Sequence, residues 1–175
     1  MMGKSMMGLA STAVNAAATG FQFKQDSAKL REGLANGTKT MDDYKRHIAN
    51  TTANNSRKPF ALAMLSGTMA REYAAAKMTD KDYKQSVSDY MKMKSHDRQK
   101  APAPNLNSQT GRNQVKSALE SSNNKKIANA AKNGEVTNAY TDANGVIHAS
   151  LQTKDKNGRV NGMYDVAVSG NGKDV

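Results

Sequence analysis

Residues 135–169 read EVTNAYTDANGVIHASLQTKDKNGRVNGMYDVAVS, and this stretch decides the fold of the C-terminal part of the chain. It contains three runs in which apolar and polar residues alternate, and alternation with a period of two is typical of strands with one buried face. DANG and KDKNG separate the runs, and each holds an Asn-Gly pair that favours a tight hairpin turn. Residues 134–175 are therefore predicted to form a three-stranded antiparallel β-meander followed by a tail.

The same alternation predicts which side chains of the meander are buried. One face of each run is apolar, so this face is expected to pack against other elements. His148 alternates with the apolar positions and is therefore expected to face water. A three-stranded sheet with one thin apolar face is marginal alone, so we expect it to dock on a helix, on another subunit or in a larger sheet. The predicted buried face consists of Val136, Tyr140, Ile147, Ala149, Leu151, Tyr164, Val166 and Val168.

Upstream of the meander, the sequence predicts a linker and one short helix. Residues 95–112, SHDRQKAPAPNLNSQTGR, contain Pro102 and Pro104 and no apolar periodicity, which is typical of a Pro/Asn-rich linker. Residues 113–133 carry a helical apolar pattern with a weak, polar middle. An Asn-Gly pair follows this pattern and is expected to end the helix.

Residues 1–94 are predicted to be helical, and they contain a possible two-fold internal repeat at an offset of 39. TMDDYKRHI from Thr40 and TDKDYKQSV from Thr79 share the signature T-x-x-D-Y-K-x-x-(I/V). In each copy the Thr is expected to be an N-cap with the Asp at N3, and the Tyr lies one turn before an Ile or Val. We interpret the copies as helical hairpins at about 21–56 and 60–94; chance similarity between two capped helices is the alternative. The whole chain is thus predicted to be mainly α.

The chain carries no charge between Lys4 and Lys24, where small residues dominate. This segment is too polar for a stable transmembrane helix, and small residues let a second helix approach closely. We therefore predict an oligomer or membrane contact there. The alternatives are an Ala-rich helix packed on its own domain and a signal peptide cleaved near residue 18. The candidate contact residues are Leu9, Ala13, Val14, Ala17 and Phe21.

Bulky apolar residues are scarce: Leu, Ile, Val and Phe make up 23 of the 175 residues, and Trp is absent. Ala supplies much of the remaining hydrophobic content, and it removes little area from water. With a net charge of +11, such a chain is expected to need neighbours to hold its shape. The charge attracts anionic partners, although dispersed lysines are more typical of a solvated surface than of specific nucleic-acid recognition.

No pattern of residues predicts a catalytic, cofactor-binding or metal site. His47, His96 and His148 fall in a predicted helix, the linker and a strand, without ligand spacing between them. The acidic pairs Asp42-Asp43 and Asp80/Asp82 lie at predicted helix starts, where capping explains them. The absence of Cys excludes disulfides, thiolate zinc sites and cysteine nucleophiles. We therefore expect a protein that is not an enzyme and that uses no cofactor.

The N-terminal segment GLASTAVNAAATGFQF, followed by the polar KQDSAKLREGL, resembles the N-terminal style of short internal virion (DNA-ejection) proteins of tailed bacteriophages. The abundance of Ala, Asn, Lys and Met fits the same resemblance, which covers about the first 35 residues and carries no functional residue over. It implies a virion protein that forms a homo-oligomer in multiple copies near the portal or tail. It also implies non-specific DNA contact and transient membrane contact through the N-terminal helix.

Three other functions remain open at the level of sequence. The meander is not a feature of the ejection proteins, so another phage tail, adaptor or decoration protein fits as well. The net positive charge fits a small basic protein that binds nucleic acid without specificity. A secreted or surface adhesion module would fit if residues 1–18 were removed.

Overall fold

The computed structural model describes residues 2–171 and residue 175, with side chains described from residue 15 onward. The fold is mainly helical and ends in a three-stranded antiparallel sheet of order β1-β2-β3, which confirms the predicted fold class. The helices of this described part are α1 Met2–Asn36, α2 Met41–Asn54, α3 Pro59–Lys92, α4 Ser95–Arg98, α5 Gln109–Glu120 and α6 Lys125–Lys132. The strands are β1 Gly134–Thr141, β2 Ile147–Lys154 and β3 Val160–Val168.

The chain divides into two compact units, and the boundary between them falls within α3. Unit 1 comprises residues 1–35 and 39–80, and unit 2 comprises residues 36–38 and 81–175. The predicted division after residue 94 is therefore displaced. The C-terminal part of α3 and the predicted linker both belong to the unit that holds the sheet.

Unit 1 contains the first predicted hairpin. Thr40 forms a capping box at the start of α2: its hydroxyl accepts a hydrogen bond from the backbone N–H of Asp43, and the Asp43 carboxylate accepts one from the N–H of Thr40. Two of the four free N–H groups of the helix start are thereby satisfied. His47 of α2 stacks on Phe23 of α1 with ring centroids 4.4 Å apart, so the two helices pack as the hairpin requires.

The core of unit 1 is thin among the side chains that the structure describes. Leu34, Tyr44 and Ala76 form one buried cluster, and the partly buried side chains beside it are Leu30, Met41, Ile48 and Tyr73. Phe23 and Leu65 are buried outside this cluster, so the bulky apolar side chains of the three helices are divided and do not meet in one core.

The second predicted hairpin, at 60–94, is wrong because α3 runs without a break from Pro59 to Lys92. Thr79 is not an N-cap: its hydroxyl donates to the carbonyl of Ala75, 3.0 Å away, inside the helix. The first hairpin turns where Gly37 adopts a left-handed φ of 76°. No Gly or Pro precedes Thr79 at the matching positions, so nothing there interrupts the helix.

The sheet of unit 2 largely follows the predicted pattern. Ile147 pairs with Val168 and Ala149 with Val166, and all four side chains are buried. Tyr140 is the exception: it is 53% exposed instead of completing the buried face. The register of β1 shifts between Val136 and Asn138, and one extra residue reverses the inward and outward sides of a strand. Ala139 therefore points inward in place of its neighbour.

The two hairpin loops have the same sequence form, D-x-N-G, and the same geometry. Asp142 and Asp155 each accept hydrogen bonds on the side chain from two backbone N–H groups of their own loop. Gly145 and Gly158 have φ values of 75° and 78°, and no described residue other than glycine has a positive φ. Each loop is therefore a type I turn completed by a left-handed glycine, because a type I′ turn would also need a positive φ at Asn.

The predicted single helix at 113–133 is two helices, because residues 121–124 break it. Ser108 caps α5 and Asn124 caps α6, each through its side-chain oxygen. These helices and the last turns of α3 cover the apolar face of the sheet, which confirms the expected docking of the meander on helices. The buried cluster of unit 2 consists of Tyr83, Val87, Tyr90, Met91, Leu106, Val115, Leu119, Ala130, Ala131, Val136, Ala139, Ile147, Ala149, Leu151, Val166 and Val168.

The predicted linker at 95–112 is instead a packed segment centred on Arg98, which is only 2% exposed. The guanidinium donates to five main-chain carbonyls at 2.9–3.2 Å, so a positive charge is buried on carbonyl dipoles. Two of these carbonyls end α3, where the helix dipole favours a cation. Burial lowers the pKa of Arg98 from its ordinary value. A pattern of apolar residues cannot reveal a segment held by a buried charge. The accepting carbonyls belong to Tyr90, Met91, Gly145, Val168 and Gly170.

Candidate functional site: an apolar face on unit 1

Ala17 and Phe21 of α1 and Phe60 and Met64 of α3 form an exposed apolar surface on unit 1, which we name the apolar face. Phe21 is 63% exposed, Phe60 51% and Met64 53%. Each pair lies one helical turn apart, so the pairs project from the same side of their helices. Large apolar side chains that stay exposed together are a sign of an interaction site.

Leu65 of α3 lies beside Gly20 of α1 beneath this face. A Cβ at Gly20 would lie 3.8 Å from Leu65 Cδ2, which is an ordinary van der Waals distance. Leu65 is 1% exposed and Ala16 is 3% exposed, so these residues form a buried floor. Two shallow cavities of about 300 and 350 Å³ open above this floor between the two helices.

The rim of the apolar face is basic. Lys24 lines the first cavity, and Arg57 and Lys58 line the second. An apolar centre with a charged rim is the usual anatomy of a protein–protein interface. A surface with acidic groups around an apolar patch would complement this rim in charge.

The five residues predicted as an oligomer or membrane contact are only partly described. Ala17 and Phe21 are exposed members of the apolar face. The side chains of Leu9, Ala13 and Val14 lie outside the described residues. No helix, as far as the structure describes it, has a segment that is both long and apolar enough to cross a membrane. The contact role of all five residues stays a prediction.

Sequence reasoning missed the part of the face that α3 supplies. Met64 and Leu65 both belong to the apolar stripe of this helix, yet Leu65 is buried and Met64 is exposed. The sequence of one helix does not show which side of a broad apolar stripe its neighbour covers. Leu65 lies against α1 beside Gly20, and the sequence of α3 gives no signal of this contact.

His47 and His148 have structural partners. The Nε2 atom of His47 lies 3.2 Å from the buried hydroxyl of Ser27. His148 lies 2.7 Å from the carboxylate of Asp142 and stacks on Tyr140, on the outer side of the sheet as predicted. His96 lies in α4. In the part of the chain that the structure describes, no three His, Cys, Asp or Glu side chains are grouped so that they could hold a metal ion.

The carboxylates with shifted pKa values are those that hold turns in place. The backbone N–H of Thr40 lowers the pKa of Asp43, which confirms the predicted capping role. His148, more than the loop N–H groups, lowers the pKa of Asp142. The second acidic pair, Asp80 and Asp82, lies inside α3, so its predicted place at a helix start is wrong. These shifts have structural causes, and a shifted carboxylate alone does not indicate catalysis.

Comparison with protein-family models, with curated proteins and with solved structures finds no match for this chain.

Proposed function

We propose that this protein is a non-catalytic structural component of a virus particle, of the internal virion or ejection type in tailed phages, packed in multiple copies near the portal or tail. The apolar face carries the proposal. Among the described side chains of unit 1, two phenylalanines and a methionine are at least half exposed, and the buried cluster is small. An interface with a neighbour would bury the exposed side chains and add stabilisation to the unit.

The neighbour that fits the apolar face is a different protein of the particle with acidic residues around an apolar patch. Lys24, Arg57 and Lys58 ring the face, and the whole chain carries a net charge of +11. A second copy would bring like charges together, so its fit is poorer. Contacts between copies are proposed to arise elsewhere on the chain. The resemblance of the first 35 residues to ejection proteins supports the assignment to a phage particle, and the described side chains do not bear on transient membrane contact.

The particle assignment is tested by mass spectrometry of purified virus particles from the source of the chain. Peptides of the protein should be present in many copies per particle. Their absence from purified particles, with the protein present in the infected cell, would contradict a virion role.

The contact is tested by a carbodiimide, which joins a lysine amine directly to a carboxylate and therefore adds no spacer. In intact particles we expect Lys24 and Lys58 to be linked to Asp or Glu of another virion protein. Lys45, exposed on α2 of the same unit, is the matched control and should give few such links. Links from Lys24 and Lys58 to carboxylates of this chain alone would favour a homo-oligomer and overturn the assignment of the partner.

A further inference from the structure

A second concave surface lies within unit 2, between α6 and the hairpin of β2 and β3, with a volume of about 740 Å³. We name it the basic groove. Helix α6 presents lysine and asparagine side chains to it, and the hairpin presents lysines and one aromatic ring. Its defining residues are Lys126, Asn129, Asn133, Lys154, Lys156 and Tyr164.

The charge of the basic groove is positive. Lys126, Lys154 and Lys156 line it, and all three are exposed. The Nζ atom of Lys154 forms a salt bridge with the carboxylate of Glu135, whose Oε1 atom lies 3.7 Å away. Asp155, which also lines the groove, accepts hydrogen bonds from backbone N–H groups of its loop. The lining therefore carries three lysine charges against the one carboxylate of Asp155, and this excess of positive charge attracts anions such as phosphates.

Tyr164 adds an aromatic ring to this positive surface. The tyrosine is half-buried on β3, where it packs against the core of the unit, and the ammonium of Lys126 lies over its ring at 5.9 Å from the centre. A ring beside a lysine offers a stacking surface next to a charge, which is how proteins hold single-stranded nucleic acids. The amides of Asn129 and Asn133 supply further hydrogen-bond donors and acceptors for phosphate or base edges.

We infer that the basic groove binds single-stranded nucleic acid, with phosphates on Lys126 and Lys156 and a base on the ring of Tyr164. The inference stands apart from the proposed particle role, because it rests on unit 2 alone. The bases of a duplex are stacked on one another and cannot reach Tyr164, so a single strand fits better. An anionic membrane would offer phosphates to the same lysines, but it has no base that could stack on the ring of Tyr164.

The inference is tested on the full chain with fluorescence anisotropy, using a labelled oligodeoxythymidine of about 20 nucleotides at a series of salt concentrations. The wild-type chain should bind, with log affinity falling linearly against log salt. Lys126→Gln with Lys156→Gln should lower affinity by about tenfold at low salt and make the slope shallower by about 1.4, as expected for the loss of two phosphate contacts. Both lysines are exposed, so the variant should fold normally.

The matched control is Lys29→Gln with Lys45→Gln, which removes two exposed lysines from unit 1. Its net charge equals that of the Lys126 and Lys156 double variant. This control should keep the wild-type affinity to within about twofold. An equal loss in both double variants would show that net charge alone attracts the strand and would overturn the site. Tyr164→Leu should weaken binding by about tenfold without changing the salt slope, because stacking releases no counterion.

Two further probes decide the class of ligand. A duplex of the same length and vesicles with about 30% phosphatidylserine are titrated under the same conditions. Both should bind more weakly than the single strand, and neither should respond to Tyr164→Leu. Tighter binding of the duplex, or of the vesicles, that is lost in the double variant of Lys126 and Lys156 would overturn the inference of a single-stranded ligand.

Discussion

Unit 2 gathers its apolar side chains into one interior, whereas the described apolar side chains of unit 1 are divided between small buried groups and an exposed face. In unit 2 the last turns of α3, the helices α5 and α6 and the sheet converge on one continuous buried cluster. Among the described side chains of unit 1, the buried cluster has three members, Phe23 and Leu65 are buried outside it, and Phe21, Phe60 and Met64 are at least half exposed. The same scarce residue types therefore form a core in the unit that has a sheet and, in part, an exposed surface in the unit that has only helices.

The expectation that this chain needs neighbours to hold its shape applies unequally to the two units. Unit 2 gathers a buried layer of its own, because alternation along three paired strands directs small and medium apolar residues to one side of the sheet. For unit 1 a dependence on neighbours stays a prediction, and stability measurements on each unit can test it.

The largest effect is expected from Arg98→Met in unit 2. The substitution removes a donor from five main-chain carbonyls; that of Tyr90 keeps the N–H of Met93, and each buried carbonyl left with no donor costs on the order of 1–3 kcal/mol unless water reaches it. We expect at least about 3–5 kcal/mol of lost unfolding free energy in urea, monitored by circular dichroism. Arg159→Met, at an exposed loop position, is the control and should change the value by less than about 0.5 kcal/mol. Equal losses of unfolding free energy from the two substitutions would show that the buried guanidinium of Arg98 does not stabilise unit 2.

The next effect compares one core leucine from each unit. Leu34→Ala and Leu119→Ala each remove a side chain that is at most 1% exposed, at a cost of about 2–5 kcal/mol. In hydrogen exchange, Leu34→Ala should speed the exchange of the amides of α2 while those of the sheet stay protected, because Leu34 packs in the same buried cluster as Tyr44 of α2. Leu119→Ala should instead speed the exchange of the amides of the sheet. If both variants released both units together, the chain would be one cooperative body and the contrast between the units would fail.

How much of this structure the sequence predicts depends on whether a feature has a local sequence signal. The three strands of the meander and their two turns were predicted, because strand alternation and Asn-Gly turns are local signals. Tyr140 was misplaced because a bulge depends on pairing with another strand. Arg98 was missed because its partners lie up to 72 residues away and are main-chain carbonyls, which every sequence has. On the apolar face, Ala17 and Phe21 were singled out from their uncharged segment, and the α3 half required the structure.

A smaller effect tests the internal repeat, because one copy begins at a helix start and the other lies inside a helix. Thr40 caps α2, so Thr40→Ala should cost about 1 kcal/mol of unfolding free energy. Thr79 bonds within α3, and Thr79→Ala should change stability by less than about 0.5 kcal/mol because Ala favours helix interiors. Both are measured by urea unfolding at neutral pH. A loss of unfolding free energy at Thr79 as large as that at Thr40 would indicate that Thr79 caps a helix, as the second predicted hairpin requires.

The smallest effect concerns acid and the first hairpin loop of unit 2. The folded pKa of Asp142 is lowered, mainly by His148 and then by the loop N–H groups of Val146 and Asn144. A lowered folded pKa means that the unfolded chain takes up the proton first. The contribution of Asp142 is therefore fully present above about pH 4, its ordinary pKa, and is lost as the pH falls through the folded value.

Urea unfolding of wild type and Asp142→Asn between about pH 6 and pH 2.5 measures this contribution to stability. The stability difference between the two chains should shrink over the acid end of that range. His148→Ala should weaken the acid dependence, because it removes the largest cause of the shift. A stability difference that stayed constant down to the lowest pH would mean that the loop N–H groups and His148 hold Asp142 no more tightly than water does.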